Sequence, residues 1–321
     1  MGIEGLAGRH AREKPGHVAI TDGSRSIAYG ELPGLVRAEA RFIAAAGGER
    51  HALLARNGCA WVLADLALGE LGALNVPLPR NFTAGQLLHA IGEAGIDALV
   101  TDEPARLREI LPGLEPQGIA PASGLHLFRR RGSMPERVRV PPGTAKVTYT
   151  SGSTAEPKGV CLGADAIERT SGALAEAIGP LGIDRHLGLL PLPTLLENIA
   201  GVLAPLRLGA ACIVPPEEDT GMSYAGVDAG RLAAALARWR PGSLILVPEL
   251  LRLLLGIVQS GVAMPWLRFV AVGGASVSPA LLEEARSAGI PVYEGYGLSE
   301  CASVVCLNLP GAARAGSVGR P

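Results

Sequence analysis

Short apolar runs alternate with Ala- and Leu-rich amphipathic segments along this chain, and that alternation constrains its fold more than any other feature. The runs at 187–191, 211–214, 243–247 and 268–273 have the length and near-continuous apolar character of strands buried on both faces. Helix-like segments intervene at about 228–239, 249–260 and 278–288, where Ser278 and Pro279 suit an N-cap and first helical position. Nearer the N-terminus, 31–46 and 57–73 read as helices, Thr83 caps a helix through roughly 93, and Asp97-Ala98-Leu99-Val100 reads as a strand. The pattern predicts an α/β protein whose largely parallel sheets are flanked by helices. With 321 residues, 48% of them hydrophobic, the chain can bury cores for two lobes. The segment 112–145, rich in Pro, Gly and Arg and poor in periodicity, predicts the linker between lobes at 1–145 and 146–321.

Several function classes are excluded by composition. A net charge of −1, from 29 basic and 30 acidic residues, leaves no electrostatic footprint for nucleic acid. The run Arg129-Arg130-Arg131 is short and reads as a solvated loop. The apolar stretches 187–214 and 244–258 are broken by Glu197, Asn198 and Arg207 and by Pro248, Glu249 and Arg252, short of the ~20 apolar residues of a membrane span. The first thirty residues show no secretory signal, and Leu6 breaks the myristoylation pattern that Gly2 opens. Five scattered cysteines, an odd number, fit reduced thiols in a cytoplasmic protein. The six histidines have no metal spacing and receive no role.

The chemistry concentrates in residues 148–160, Thr-Tyr-Thr-Ser-Gly-Ser-Thr-Ala-Glu-Pro-Lys-Gly-Val. Thr150, Ser151, Ser153 and Thr154 surround Gly152, and Lys158 follows Pro157. Such a loop can turn hydroxyls and backbone N–H groups toward an anion, with an ammonium closing the far side. It is not the Walker loop, because Lys158 is followed by Gly159 rather than Ser or Thr. Taken alone, the lysine could equally be a surface residue in a polar turn.

This stretch resembles the phosphate loop of the adenylate-forming enzymes, namely acyl-CoA synthetases, luciferases and peptide-synthetase adenylation domains. Three further motifs follow in the family's order: Gly273-Gly274-Ala275, then Tyr293-Glu294-Gly295-Tyr296-Gly297-Leu298-Ser299-Glu300, then Gly316-Ser317-Val318-Gly319-Arg320-Pro321. The opening Arg12-Glu13-Lys14-Pro15 is similar to the family's N-terminal entry, so the resemblance covers the whole chain. It implies the large N-terminal domain of such an enzyme without its small C-terminal domain, whose lysine and hinge have no counterpart here. It implies ATP and Mg²⁺ as cofactors, with Lys158 on the leaving phosphates and Thr150, Ser151, Gly152, Ser153, Thr154 and Gly159 forming the loop. Ser299 would contact the α-phosphate and Glu300 would bind the metal. Tyr296 would stack on adenine beside Gly273, Gly274 and Ala275, with Glu294, Gly295 and Gly297 completing the nucleotide site. By residue type alone, Glu300 reads as a helix-start carboxylate and Tyr296 as core; the motif reverses both preferences.

Two positions depart from the family pattern. Ala155 stands where Gly is usual, and Thr194 where fatty acyl-CoA synthetases carry His within Pro191-Leu192-Pro193-Thr194-Leu195-Leu196-Glu197. No Asp is present there to hold an amino-acid ammonium, so Thr194, Leu195, Leu196 and Glu197 are expected to form an apolar, fatty-acyl pocket. The leucines alone suit core packing as well. The resemblance thus implies acyl-AMP formation with pyrophosphate release, followed in a longer protein by transfer to CoA or to the phosphopantetheine of a carrier protein. The stretch in hand is expected to bind nucleotide and turn over poorly. The competing expectation is a non-catalytic nucleotide- or acyl-binding module that acts with a partner chain.

Overall fold

The computed structural model describes residues 2–130, 140–150, 157–223, 226–314 and 316–321. The chain divides into two compact units, Met1–His17 with Ile27–Glu168, and Val18–Ser26 with Arg169–Pro321. The division falls inside the helix Ala164–Ile178 rather than near 145. The reason lies in the segment expected to be linker. It contributes the antiparallel strands Leu114–Ile119 and His126–Arg130, while Thr144–Thr150 and Lys158–Gly163 complete the same sheet.

In the first unit, Ala98–Thr101, Arg50–Leu54, Leu74–Pro77 and Thr144–Thr150 run parallel in that spatial order. Antiparallel strands finish both edges of this seven-stranded sheet. The helix Cys59–Leu71 is buried on nearly every face through Leu68, as its apolar run, interrupted there only by Asp65, requires. It carries one buried polar link to the sheet. Lys146 Nζ lies 2.7 Å from Asp65 Oδ1, which also accepts from Asn75 Nδ2 at 2.6 Å. This ion pair anchors the strand that leads to Thr150.

The second unit is an eight-stranded sheet in the order Ser303–Leu307, Val292–Leu298, Phe269–Val272, Ser243–Leu246, Arg185–Leu187, Ala211–Ile213, Val18–Thr21, Ser26–Ala28. From Val292–Leu298 through Val18–Thr21 every pairing is parallel, and Ser303–Leu307 returns antiparallel. Of the apolar run at 187–191 only Leu187 lies in a strand, Arg185–Leu187, and Gly188 N still donates to Ile213 O at 2.8 Å. Helices Ala229–Trp239, Pro248–Gln259 and Pro279–Ser287 cover a core of Leu244, Leu246, Val270, Val272, Leu251 and Leu254. Ser278 caps the last of these by accepting from Leu281 N at 3.2 Å. Among the described residues, no helix is long and apolar enough to cross a membrane.

Candidate active site

Three neighbouring parallel strands of the second unit, Ser243–Leu246, Phe269–Val272 and Val292–Leu298, release their carboxyl ends along one edge, where α/β sheets place ligands. A cavity of about 490 Å³ opens there. Its lining includes Gly273, Gly274 and the run Gly295–Ser299 together with Leu190, Thr194, Leu195, Leu196, Ile245 and Val304. The structure thus gathers Gly273, Gly274, Gly295, Tyr296, Gly297, Ser299, Thr194, Leu195 and Leu196 around one space. Tyr296 is 46% exposed at that space, whereas Tyr293 stacks on Phe269 with ring centroids 5.2 Å apart.

The second signature is a strand rather than a loop, as Tyr293–Leu298 continues Val292 in the sheet. Gly297 is forced by close approach, since a Cβ there would overlap the Ser303 carbonyl of the returning strand. Gly273 serves the backbone too, because its Cβ would stand 3.0 Å from Gly295 O. Gly274 alone of that motif has positive φ, +78°, and its open side faces the cavity. Ala275 is exposed and lies outside the lining.

Beyond Leu298 the chain makes one tight turn, Ser299–Cys301, closed by Ala302 N to Ser299 O at 3.1 Å. Ala302 and Ser303 then take φ of 56° and 88°, strained values for residues with a Cβ. The turn exposes Glu300 beside the cavity-lining Ser299. Among the described residues no group of three His, Cys, Asp or Glu could hold a metal ion. A lone exposed carboxylate fits Mg²⁺, which keeps most of its ligands as water and phosphate oxygen.

Glu197 does not line the cavity. It is fully buried, with Oε1 3.1 Å from His186 Nε2 and Oε2 accepting from Leu190 N at 3.2 Å. It therefore holds the cavity loop from behind. His186, which carries no sequence signal of function, is its partner.

In the first unit, Thr150 pairs with Lys158 across an antiparallel ladder, and the exposed Lys158 begins the returning strand. Ser151, Gly152, Ser153, Thr154 and Ala155, like Arg131 of the basic run, lie outside the described residues. Gly159 is packed tightly, its Cβ position 2.9 Å from Val147 Cγ1. The loop's exit is braced by His89, whose Nε2 lies 3.3 Å from Pro157 O, and its entrance by Tyr149, whose hydroxyl donates to Ala90 O at 3.0 Å. Burial, with Glu93 beside it, raises the Tyr149 phenol above its ordinary value and keeps it a donor.

A family model described as AMP-binding enzyme matches residues 8–321. The chain belongs to that family. It is 27% identical to the indoleacetate–CoA ligase of Aromatoleum aromaticum, over 97% of this chain and 63% of that protein. It is 28% identical to a feruloyl-CoA synthase of Amycolatopsis sp, over 92% of this chain and 58% of that protein. Its fold matches an anthranilate CoA ligase solved with anthranoyl-AMP, with a TM-score of 0.79 at 18% identity over 100% of this chain and 63% of that one. The chain therefore spans less than two thirds of the length of these relatives.

In this AMP-binding fold the segment Gly316–Pro321 is tied to the cavity strands by a residue that belongs to none of the motifs. Asn308, buried, donates from Nδ2 to Glu294 O at 3.1 Å and to Ser317 O, and accepts from Arg314 N at 3.1 Å. Leu307 N also donates to Arg320 O at 3.0 Å. Glu294, expected in the nucleotide site, is outside the lining; its backbone carries this clamp. Burial raises its carboxyl above the usual range against the pull of Arg286.

Proposed function

We propose that this domain activates a carboxylic acid with ATP, forming acyl-AMP and pyrophosphate, and that the whole protein passes the acyl group to a thiol of CoA or of a phosphopantetheine carrier. The observation that carries the reading is the cavity whose lining combines Gly274, Tyr296 and Ser299 with the aliphatic Leu190, Leu195, Leu196 and Ile245. An acyl-adenylate needs both halves in one space, and the volume lies in the usual range for such ligands. Relatives named for indoleacetate and ferulate support an aryl acid, in place of the fatty chain the sequence suggested.

In the reaction a carboxylate oxygen bonds to the α-phosphorus, and the bond from that phosphorus to the bridging oxygen breaks, its electron pair leaving with pyrophosphate. Little covalent work falls to the protein, so positioning and charge neutralisation dominate. Lys158 is assigned to the leaving phosphates, with Thr150 and the hydroxyls of Ser151, Ser153 and Thr154 in the loop before it. Ser299 is assigned to the α-phosphate, and Tyr296 to the purine face. Mg²⁺, when bound at Glu300, would neutralise phosphate charge.

The test is acid-dependent exchange of labelled pyrophosphate into ATP by the whole protein, using aryl and alkyl acids. Aryl acids should support exchange, and Lys158→Ala should lower it by about 10²–10³-fold, the scale for removing one donor from a developing anion. Exchange untouched by Lys158→Ala, or absent with every acid, would refute the assignment.

A further inference from the structure

A second space of about 40 Å³ adjoins the main cavity and shares Leu196, Ile245, Ala271, Val304 and Leu307 with it. Its lining is aliphatic or aromatic except for His186 and Ser243. These two belong to one buried chain of hydrogen bonds. Ser243 Oγ lies 2.9 Å from His186 Nδ1, and His186 Nε2 lies 3.1 Å from Glu197 Oε1. Exposures are 3%, 2% and 0% for Ser243, His186 and Glu197.

A carboxylate only accepts, so His186 Nε2 carries the hydrogen that it shares with Glu197. Whether the hydrogen between His186 Nδ1 and Ser243 Oγ sits on the ring or on the hydroxyl, the serine oxygen keeps at least one lone pair, so a lining residue of the small space offers an acceptor. The fold makes room for this arrangement. Residues Glu197–Leu203 form a π-helix, a form that recurs at functional sites, and a Cβ on Gly201 would overlap Glu197 Oε1 and approach His186 Nε2 to 2.9 Å. Burying a carboxylate and an imidazole under an apolar pocket is costly if nothing but packing is gained.

We infer that the acyl site extends past Leu196 and Val304 to Ser243, and that the preferred substrate is an apolar acid with a hydrogen-bond donor, a hydroxyl or ring N–H, at the end remote from its carboxyl. The inference rests on the acid-activating reading above. The small space alone has room for water; the donor group of the acid replaces it, with Leu196, only partly buried, moving aside. Ser243 is a specificity residue, and His186 and Glu197 position it.

The experiment is calorimetric titration of the protein with non-hydrolysable acyl-sulfamoyl adenosines. The acyl groups are 4-hydroxycinnamoyl, cinnamoyl and 4-methoxycinnamoyl, which carry a distal donor, no polar group and an acceptor only; adenosine sulfamate without an acyl group reports the nucleotide half. The hydroxylated ligand should bind about tenfold or more tightly than either of the others, the scale of one buried hydrogen bond. In Ser243→Ala that ratio should fall to near one. A wild-type protein that binds all three acyl ligands alike, or prefers the methoxy compound, overturns the inference without touching the reading beneath it, and this comparison needs no variant. A preference that survives Ser243→Ala overturns it as well. If adenosine sulfamate and every acyl ligand fail to bind, the acid-activating reading falls and takes the inference with it.

Discussion

Two tyrosines three residues apart, Tyr293 and Tyr296, show how one motif divides its labour. Tyr293 stacks on Phe269 within the core, and Tyr296 stands exposed at the cavity. Tyr296→Ala should therefore weaken nucleotide binding by about 1–3 kcal/mol, the range for base–aromatic stacking, with little change in stability. Tyr293→Ala should do the reverse and cost about 2–3 kcal/mol in denaturant unfolding, below a fully buried aromatic because the ring is half-buried. Equal effects of the two substitutions on affinity would contradict this division. His51 gives a pH prediction. Burial holds its imidazole below the ordinary value against the pull of Asp97, and neither ring nitrogen has a partner. The folded state thus binds the proton less readily than the unfolded chain. Its stabilising contribution is complete above about pH 6.5, the unfolded value, and is lost as pH falls below it. Melting curves from pH 8 to 5 should fall less steeply for His51→Leu than for the native protein.

At the scale of elements, most of the regular structure was legible because caps and periodicity agree locally. Thr83 accepts from Gln86 N at 3.3 Å while Gln86 Oε1 accepts from Thr83 N at 2.9 Å, a full capping box on the helix Ala84–Glu93. Thr83→Ala should cost about 1 kcal/mol in unfolding measurements. That helix carries both braces of the Thr150–Lys158 hairpin, at His89 and Ala90, so the same variant should also raise the KM for ATP if the hairpin serves the phosphates as proposed. The elements that escaped notice have physical excuses. Leu114–Ile119 is a half-exposed edge strand with a bulge between Pro116 and Gly118, so it shows no alternation. The His186–Ser243 contact joins residues 57 apart, and the Asn308 clamp depends on backbone carbonyls; neither leaves a local pattern. Of the residues the motifs singled out, Gly273, Gly274, Gly295, Tyr296 and Gly297 line the cavity, whereas Glu294, Ala275 and Glu197, which stand in the same runs, do not.

At the scale of the whole molecule, the chain visits the second unit twice. Residues 18–26 belong to it, although the rest of the first 168 residues do not. Val18–Thr21 lies beside Ala211–Ile213, pairing Ile20 with Cys212 and Thr21 with Ile213, and Val214 N donates to Thr21 O at 2.8 Å. The turn that follows is closed by Asp22, whose Oδ1 accepts from Ser24 N at 2.9 Å and Arg25 N at 2.8 Å. Ala19 and Ile20 are fully buried, so this short hairpin covers core as well as an edge. Residues 169–321 expressed alone would leave Ala211–Ile213, paired with Arg185–Leu187 on one side, as an open edge strand with apolar neighbours uncovered. Such an edge invites association. At equal concentration the isolated piece should aggregate more than the intact chain, or bind a hydrophobic dye more strongly. Fusing residues 18–28 ahead of residue 169 through a flexible linker should restore a cooperative unfolding transition. If 169–321 alone unfolds as cooperatively as the fusion, the hairpin is an ornament of the second sheet and the boundary belongs between Ser26 and Ile27 in sequence only.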